Sequence, residues 1–296
     1  MSRIEVQITH ADRLVFPADE ITKGDIVDYH AEIADVMVPH LKGRPLTVWR
    51  YPRGIDDQGF VQQDFSDSLP EWMGRVEVAK EGGTVVHPTA DRPEALRWLA
   101  NQNCLTLHAW LSRRDALDVP DRVVFDLDPS GGDFAVVRAT ARAVADVLDE
   151  LGLVSYVQTT GSRGLHVVTP IKGDAEFDVV RQFARDVAEV VAADDPAHRT
   201  IEMRKANRGD RVYLDVMRNA YAQTAVAPYA VRARRGAPVA TPLEWDELDR
   251  RGLRADRFTI HDIPKRVAEN GDPWADLRRR ARSLTRPAQR LAKIRA

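Results

Sequence analysis

The chain has 296 residues, 44% of them hydrophobic and 30% charged, with a formal net charge of −2. That composition allows a sizeable core in one large or two modest domains, and the near-neutral balance names no partner class by itself. The single cysteine, Cys104, excludes disulfides and thiolate zinc sites and fits a cytoplasmic protein. No apolar run approaches the roughly 20 residues of a membrane span, and the first residues lack a signal-peptide core.

In chain order, Ile4, Val6 and Ile8 alternate as a short strand, and Phe16-Pro17 marks a loop. Thr22 caps a helix from Lys23 to about Pro39, with Ile26, Val27, Ile33, Val36 and Met37 as its stripe. Residues 46–51 read as a strand, 52–59 as a loop and 60–63 as an extended segment. Strands at 76–78 and 84–86 flank Glu81-Gly82-Gly83 as a hairpin. Pro93 opens a helix to about Asn101, and 105–110 alternates as a strand. Asp133 starts a helix with Val137, Val144 and Leu148 on its apolar face, and Gly152 stops it. Strands at 154–158 and 165–169, a helix at 177–191 and a strand at 212–216 follow. Helical stretches are expected near 244–250 and 273–282. Residues 1–277 read as one compact α/β unit with two lobes, and 278–296 as a basic tail with no acid after Asp276.

The chain is organised around Val123-Val124-Phe125-Asp126-Leu127-Asp128-Pro129-Ser130-Gly131-Gly132, a buried strand running into a turn. Side chains alternate, so Asp126 and Asp128 share a face roughly 6.5 Å apart. Two like charges there call for a cation, and carboxylate oxygens suit Mg²⁺ or Mn²⁺. A solvated strand end is the alternative. Asp215, on a later strand, completes a possible triad able to hold two metals about 4 Å apart, as in-line phosphoryl displacement requires. Arg208, Arg211, Arg218 and Arg232 flank it in sequence and suit a triphosphate, unless they merely neutralise the acids.

The loop Thr159-Thr160-Gly161-Ser162-Arg163-Gly164 offers hydroxyls, glycines and a cation to an anion, although an ordinary hairpin has similar features. His166 follows on the face opposite Leu165 and Val167 and is either structural or functional. Two look-alikes fail. A calcium loop beginning at Asp126 needs a glutamate where Val137 stands. A haloacid-dehalogenase-type phosphatase needs an apolar strand before its Gly-Asp loop, and here polar residues precede Gly209-Asp210.

Phe125-Asp126-Leu127-Asp128-Pro129, Thr160-Gly161-Ser162-Arg163-Gly164-Leu165-His166 and Tyr213-Leu214-Asp215 resemble the three motifs of archaeo-eukaryotic primases. The chain is most similar to the polymerase domain of bacterial ligase D and its stand-alone relatives, from about Thr9 to about Arg266. Arg44-Pro45-Leu46-Thr47 with Arg50, and the run from Arg218 to Tyr229, extend the likeness.

The resemblance implies an α/β (α+β) primase-polymerase fold with central mixed or antiparallel sheets flanked by helices. It implies a template-dependent nucleotidyltransferase that prefers ribonucleotides and acts at short gaps and broken ends in non-homologous end joining or excision repair. Asp126, Asp128 and Asp215 would hold two Mn²⁺ or Mg²⁺ ions. His108, Thr160, Ser162, Arg163, His166, Arg208, Arg218 and Arg232 would hold the NTP or dNTP. Arg13 and Lys23 would grip the 5′-phosphate of the downstream strand, and Phe60 would stack on the template. Phe60-Val61 stands where the family usually has two aromatics, Gln63 where it has lysine, and Thr106 where glutamate is common. No Lys-x-Asp-Gly motif is present, since Ile26 follows Lys23-Gly24-Asp25. An ATP-dependent DNA ligase, and Ku, are therefore expected as separate partners, in a bacterial, nucleoid-associated setting. A non-catalytic DNA-end-binding or synapsis module of the same fold is the alternative.

Overall fold

The computed structural model describes residues 4–131 and 133–295, so Gly132 of the central motif lies outside the described residues. The described strands are β1 (Leu14–Phe16), β2 (Ile21–Thr22), β3 (Leu46–Arg50), β4 (Phe60–Gln62), β5 (Arg75–Lys80), β6 (Gly83–Pro88) and β7 (Cys104–Trp110). They continue as β8 (Arg122–Pro129), β9 (Tyr156–Thr159), β10 (Leu165–Pro170), β11 (Arg199–Thr200), β12 (Val212–Asp215), β13 (Thr224–Val226) and β14 (Pro242–Leu243). The helices are α1 (Lys23–Glu32), α2 (Ala34–Leu41), α3 (Pro93–Asn101), α4 (Phe134–Glu150), α5 (Phe177–Asp194), α6 (Ile263–Asn270) and α7 (Thr285–Ile294). They group into two units, Met1–Asp115 with Val226–Thr241 and Phe258–Asp272, and Ala116–Ala225 with Pro242–Arg257 and Pro273–Ala296.

The first unit is built on the antiparallel pairs β3–β4 and β3–β7. Its core joins Ile26, Met37 and Leu41 from the helices to Leu46, Val48, Leu107 and Tyr229. Thr22 caps α1 with a reciprocal box, accepting from the Asp25 N–H while the Asp25 carboxylate accepts from the Thr22 N–H.

The second unit carries a six-stranded sheet of order β11-β12-β8-β10-β9-β14. The ladder pairs Leu165 with Leu127 and Val167 with Phe125, all fully buried. Helices α4 and α5 pack on this sheet through Val137, Val144, Leu148, Val180 and Val187. Asp133 caps α4 by accepting from the Ala135 N–H. Truncating Leu127 to alanine here would cost about 2–5 kcal/mol.

Four sequence expectations change. Residues 4–10 form no strand: Asn101 holds them by side-chain bonds to the Thr9 N–H and the Gln7 carbonyl, in place of a ladder. The expected 23–39 helix is two helices kinked at Ile33, φ −99° and ψ 5°. The apolar stripe runs through the kink, so periodicity reads across it. The stretches near 244–250 and 273–282 are short 3₁₀ turns, at Trp245–Asp249 and Leu277–Arg280. The true late helices are α6 and α7. In α7, Pro287 and Leu291 are buried, and Arg295 pairs with Asp186 and Glu189 of α5. The segment after 276 thus packs on the second unit through Leu277, Leu284 and Leu291, while its basic side chains stay exposed.

Candidate active site

The antiparallel register sets the site. His166 of β10 and Asp215 of β12 are both paired with Asp126 of β8, one on each side. Directly paired residues share a face, so His166, Asp126 and Asp215 form a row across three strands. Asp128 is two residues along β8 on the same face, opposite Tyr213. The three acids predicted to converge are on one sheet face.

Cations and donors surround them. His166 Nε2 lies 3.4 Å from Asp126 Oδ1, and Gln158 Nε2 lies 3.2 Å from His166 Nδ1. An amide donor on Nδ1 leaves Nε2 as the protonated nitrogen facing the acid. Arg218 Nε donates to Asp126 Oδ2 at 3.3 Å and lies 3.9 Å from Asp215 Oδ2. Arg163 donates to Asp128 Oδ1 at 3.3 Å. Burial pushes the Asp126 carboxyl up, but His166 and Arg218 outweigh it and hold the group at about 2. Burial and the Asp126 charge raise Asp215, against the Met217 N–H that donates to Asp215 Oδ1 at 2.8 Å.

Among the described residues no His, Cys, Asp and Glu set stands as a preassembled metal cage. The donor chemistry nonetheless fits a divalent ion. Three carboxylates share one face, and burial together with the Asp126 charge disfavours Asp215 as an anion. Arg163 and Arg218 supply positive charge beside the acids in this structure, and His166 turns a ring nitrogen toward Asp126.

Two features hold the frame. Gly164 sits against β8: a Cβ there would lie 2.0 Å from the Leu127 carbonyl oxygen, so only glycine lets the 160–164 loop close onto the acid strand. Asn219 is fully buried. Its Oδ1 accepts from the Val124 N–H at 2.8 Å, and its Nδ2 donates to the carbonyls of Val124 and Val216 at 2.8 and 2.9 Å. The ladder partner β12 ends at Asp215, and the Asn219 amide takes up the β8 backbone groups beyond it.

The other expected site residues divide. Thr160 is buried, and its hydroxyl both donates to the Gly164 carbonyl and accepts from the Gly164 N–H, so it shapes the loop. Ser162 and the exposed Arg163, which donates to Asp128, line a cavity of about 340 Å³ with Arg254 and Asp256. Arg208 stacks 3.7 Å over the Tyr213 ring and donates to the Glu202 and Met203 carbonyls. Arg211 donates to the carbonyls of Arg208 and Asn207. His108 and Arg232 belong to the other unit, where His108 is paired with Thr47. Thr106 donates its hydroxyl to the Val231 carbonyl.

In that first unit Lys23 is buried, with Nζ 3.4 Å from both Thr9 Oγ1 and the Asn101 carbonyl oxygen. Burial, then the nearby Arg13 guanidinium, lowers its pKa. Among the described residues no carboxylate pairs with either cation, an arrangement that suits an incoming anion. Phe60 is exposed, with the Arg50 guanidinium 5.7 Å from its ring centre.

Sequence reasoning missed Gln158 and the role of Asn219. Gln158 is one polar residue in an apolar strand, which carries no recognisable pattern. Asn219 stands four residues past Asp215, where a side chain that substitutes for a strand looks like any loop residue.

The chain matches the model of the family described as "LigD, primase-polymerase domain" over residues 22–274. The LigD multifunctional non-homologous end joining DNA repair protein of Mycobacterium tuberculosis (H37Rv) is 36% identical over 280 residues, 92% of this chain and 37% of that protein. The bifunctional LigD of Bacillus subtilis is 31% identical over 281 residues, 93% of this chain and 44% of that protein. The chain thus spans less than half the length of these curated relatives. The polymerase domain from Mycobacterium tuberculosis ligase D, solved in complex with DNA, superposes with a TM-score of 0.89 at 36% identity, covering 94% of this chain and 99% of that one. With the mixed α/β fold shared across nearly its whole length, this chain belongs to the LigD primase-polymerase domain family.

Proposed function

We propose that this domain is a metal-dependent, template-directed nucleotidyltransferase that fills short gaps and extends broken DNA ends, with a preference for ribonucleotides. The observation that carries this is the row His166–Asp126–Asp215 with Asp128 beside it on one face of the six-stranded sheet. A pure binder of a polyanion gains nothing from three carboxylates gathered toward its ligand.

Asp126, Asp128 and Asp215 would hold two divalent ions, Mn²⁺ or Mg²⁺. Those ions would supply charge neutralisation at the α-phosphate and acidify the attacking 3′-hydroxyl. The chain's own groups do the rest. Arg163 and Ser162 grip phosphate oxygens, and Arg208, fixed on Tyr213, presents its charge to the same side of the sheet as Asp215. Arg218 balances Asp126 and Asp215 until nucleotide arrives, then is free to turn to the triphosphate. His108 and Arg232 contact the nucleotide. Lys23 and Arg13 receive the 5′-phosphate across the gap, and Phe60 stacks on the template. Sealing the product requires a ligase activity, and Ku-held ends are the expected setting.

The test is primer extension on gapped, 5′-phosphorylated DNA with Mn²⁺ and each of NTP and dNTP. Addition of templated nucleotide, faster from NTP, is expected. DNA binding without any extension would make the domain a non-catalytic end-binding module.

A further inference from the structure

In the second unit, α5 and α7 leave an open trough of about 840 Å³ between them. Arg295 ties the end of α7 to α5 through Asp186 and Glu189, and the Lys172 N–H donates to the Arg282 carbonyl just before α7. Val179, Phe183 and Asp186 follow one another at i, i+4 and i+7 on α5, and Leu284, Ala288 and Leu291 do so along α7 and its cap. Each helix thus turns one face to the trough. Phe183, Leu284 and Leu291 are buried and make the floor. Val179 is 57% exposed and Ala288 is exposed, so an apolar wall is left uncovered.

Charge narrows the occupant. The rim carries Asp174, Glu176, Asp178 and Asp186. The basic lining residue, Arg295, is spent on Asp186 and Glu189, and Asp178 is paired with Arg181. Among the described residues, Asp174 and Glu176 have no partner, and Asp174 lies before the α5 cap, so the helix dipole does not account for it. Nucleic acid is excluded, because its phosphates would meet this rim. A second copy docked about a two-fold axis would set the same acids against each other. Asp178 and Asp186 are about 12 Å apart along α5, the length of two turns of a helix laid in the trough.

We propose that the α5–α7 trough is the docking site for a lysine- or arginine-rich amphipathic helix of a partner protein, its aliphatic side chains seated between Val179 and Ala288 and its cations on the acidic rim. Helix α5 packs on the sheet face that carries Phe125 and Leu127, and alternation puts Asp126 and Asp128 on the other. Partner and nucleotide are therefore held at the same time. The inference goes beyond the polymerase reading and does not depend on it.

The experiment titrates the full chain into a fluorescein-labelled peptide with leucines at i, i+3, i+4 and i+7 and lysines elsewhere, followed by anisotropy. A peptide of the same composition with leucine and lysine alternating is the comparison. The helical pattern should bind about tenfold tighter or more. Val179→Ser combined with Ala288→Gln should weaken it by about tenfold, through lost apolar burial. Asp174→Asn combined with Glu176→Gln should weaken it about fivefold and flatten its salt dependence. All four positions are exposed or at the rim, so thermal melting and primer extension should match the unaltered protein, which separates lost docking from a lost fold. Equal affinity for the two peptides, or unchanged affinity in the Val179/Ala288 variant, overturns the docking site. Sedimentation is measured alongside: self-association of the unaltered chain that the Val179/Ala288 variant abolishes assigns the trough to a second copy and overturns the cationic partner.

Discussion

Asn219→Ala is the sharpest structural perturbation, because one buried amide supports the strand that carries Asp126. It removes three hydrogen bonds and leaves the Val124 N–H and the Val124 and Val216 carbonyls to find other partners. A lost bond costs about 1 kcal/mol, and a buried donor left unsatisfied costs about 1–3 kcal/mol. The orphaned N–H dominates, because each carbonyl keeps a second lone pair. The sum is about 2–4 kcal/mol. For a chain of this size that lowers Tm by roughly 3–6 °C. Urea unfolding followed by circular dichroism measures it, and the same protein should lose extension rate through the shifted Asp126–Asp215 register. Asn219→Asp should be at least as damaging, because a carboxylate would face two carbonyl oxygens. A midpoint within 1 °C of the unaltered protein would refute the view that this amide completes the β8 ladder.

Gly164→Ala should displace the 160–164 loop from β8, since its Cβ meets the Leu127 carbonyl oxygen; nucleotide affinity measured by calorimetry should fall at least tenfold. Lys23→Met should raise Tm, because it relieves a buried ammonium held only by neutral oxygens, yet it should erase any preference for 5′-phosphorylated over unphosphorylated gapped DNA. His30 is fully buried, and burial pulls it down to about 4, against its bond to the Ile26 carbonyl. The unfolded chain therefore binds more protons between pH 6.5 and 4, and stability is complete above that window and falls as pH drops through it. From pH 7 to pH 5 the loss from this group is about 2 kcal/mol, and His30→Leu should remove that slope in urea titrations at the two pH values.

Much of the site was legible because it lies in register with itself. Asp126 and Asp128 sit two apart on one strand, and Asp215 ends another, so alternation alone puts the first two together. The pairing of Asp215 and His166 with Asp126 was not legible, since strand order is a tertiary fact. Pro93, Asp133 and Gly152 marked helix ends correctly because each acts on its own backbone. The late helices were obscured by the arginines around them, and α7 shows its apolar contacts, Pro287 and Leu291, only once α5 is in place. Thr160 matches a nucleotide-holding position of the family by its place in the second motif; the bonds between its hydroxyl and Gly164 are ones that no spacing reveals.

The most direct test is single-turnover extension of a gapped substrate by the unaltered protein, Asp126→Asn and Asp215→Asn, with Mn²⁺ and saturating ribonucleotide. Gapped-DNA binding is measured alongside. The account predicts templated addition by the unaltered protein and loss of at least a thousandfold in rate in each variant, with binding within about threefold. Extension by either variant at the unaltered rate would contradict it.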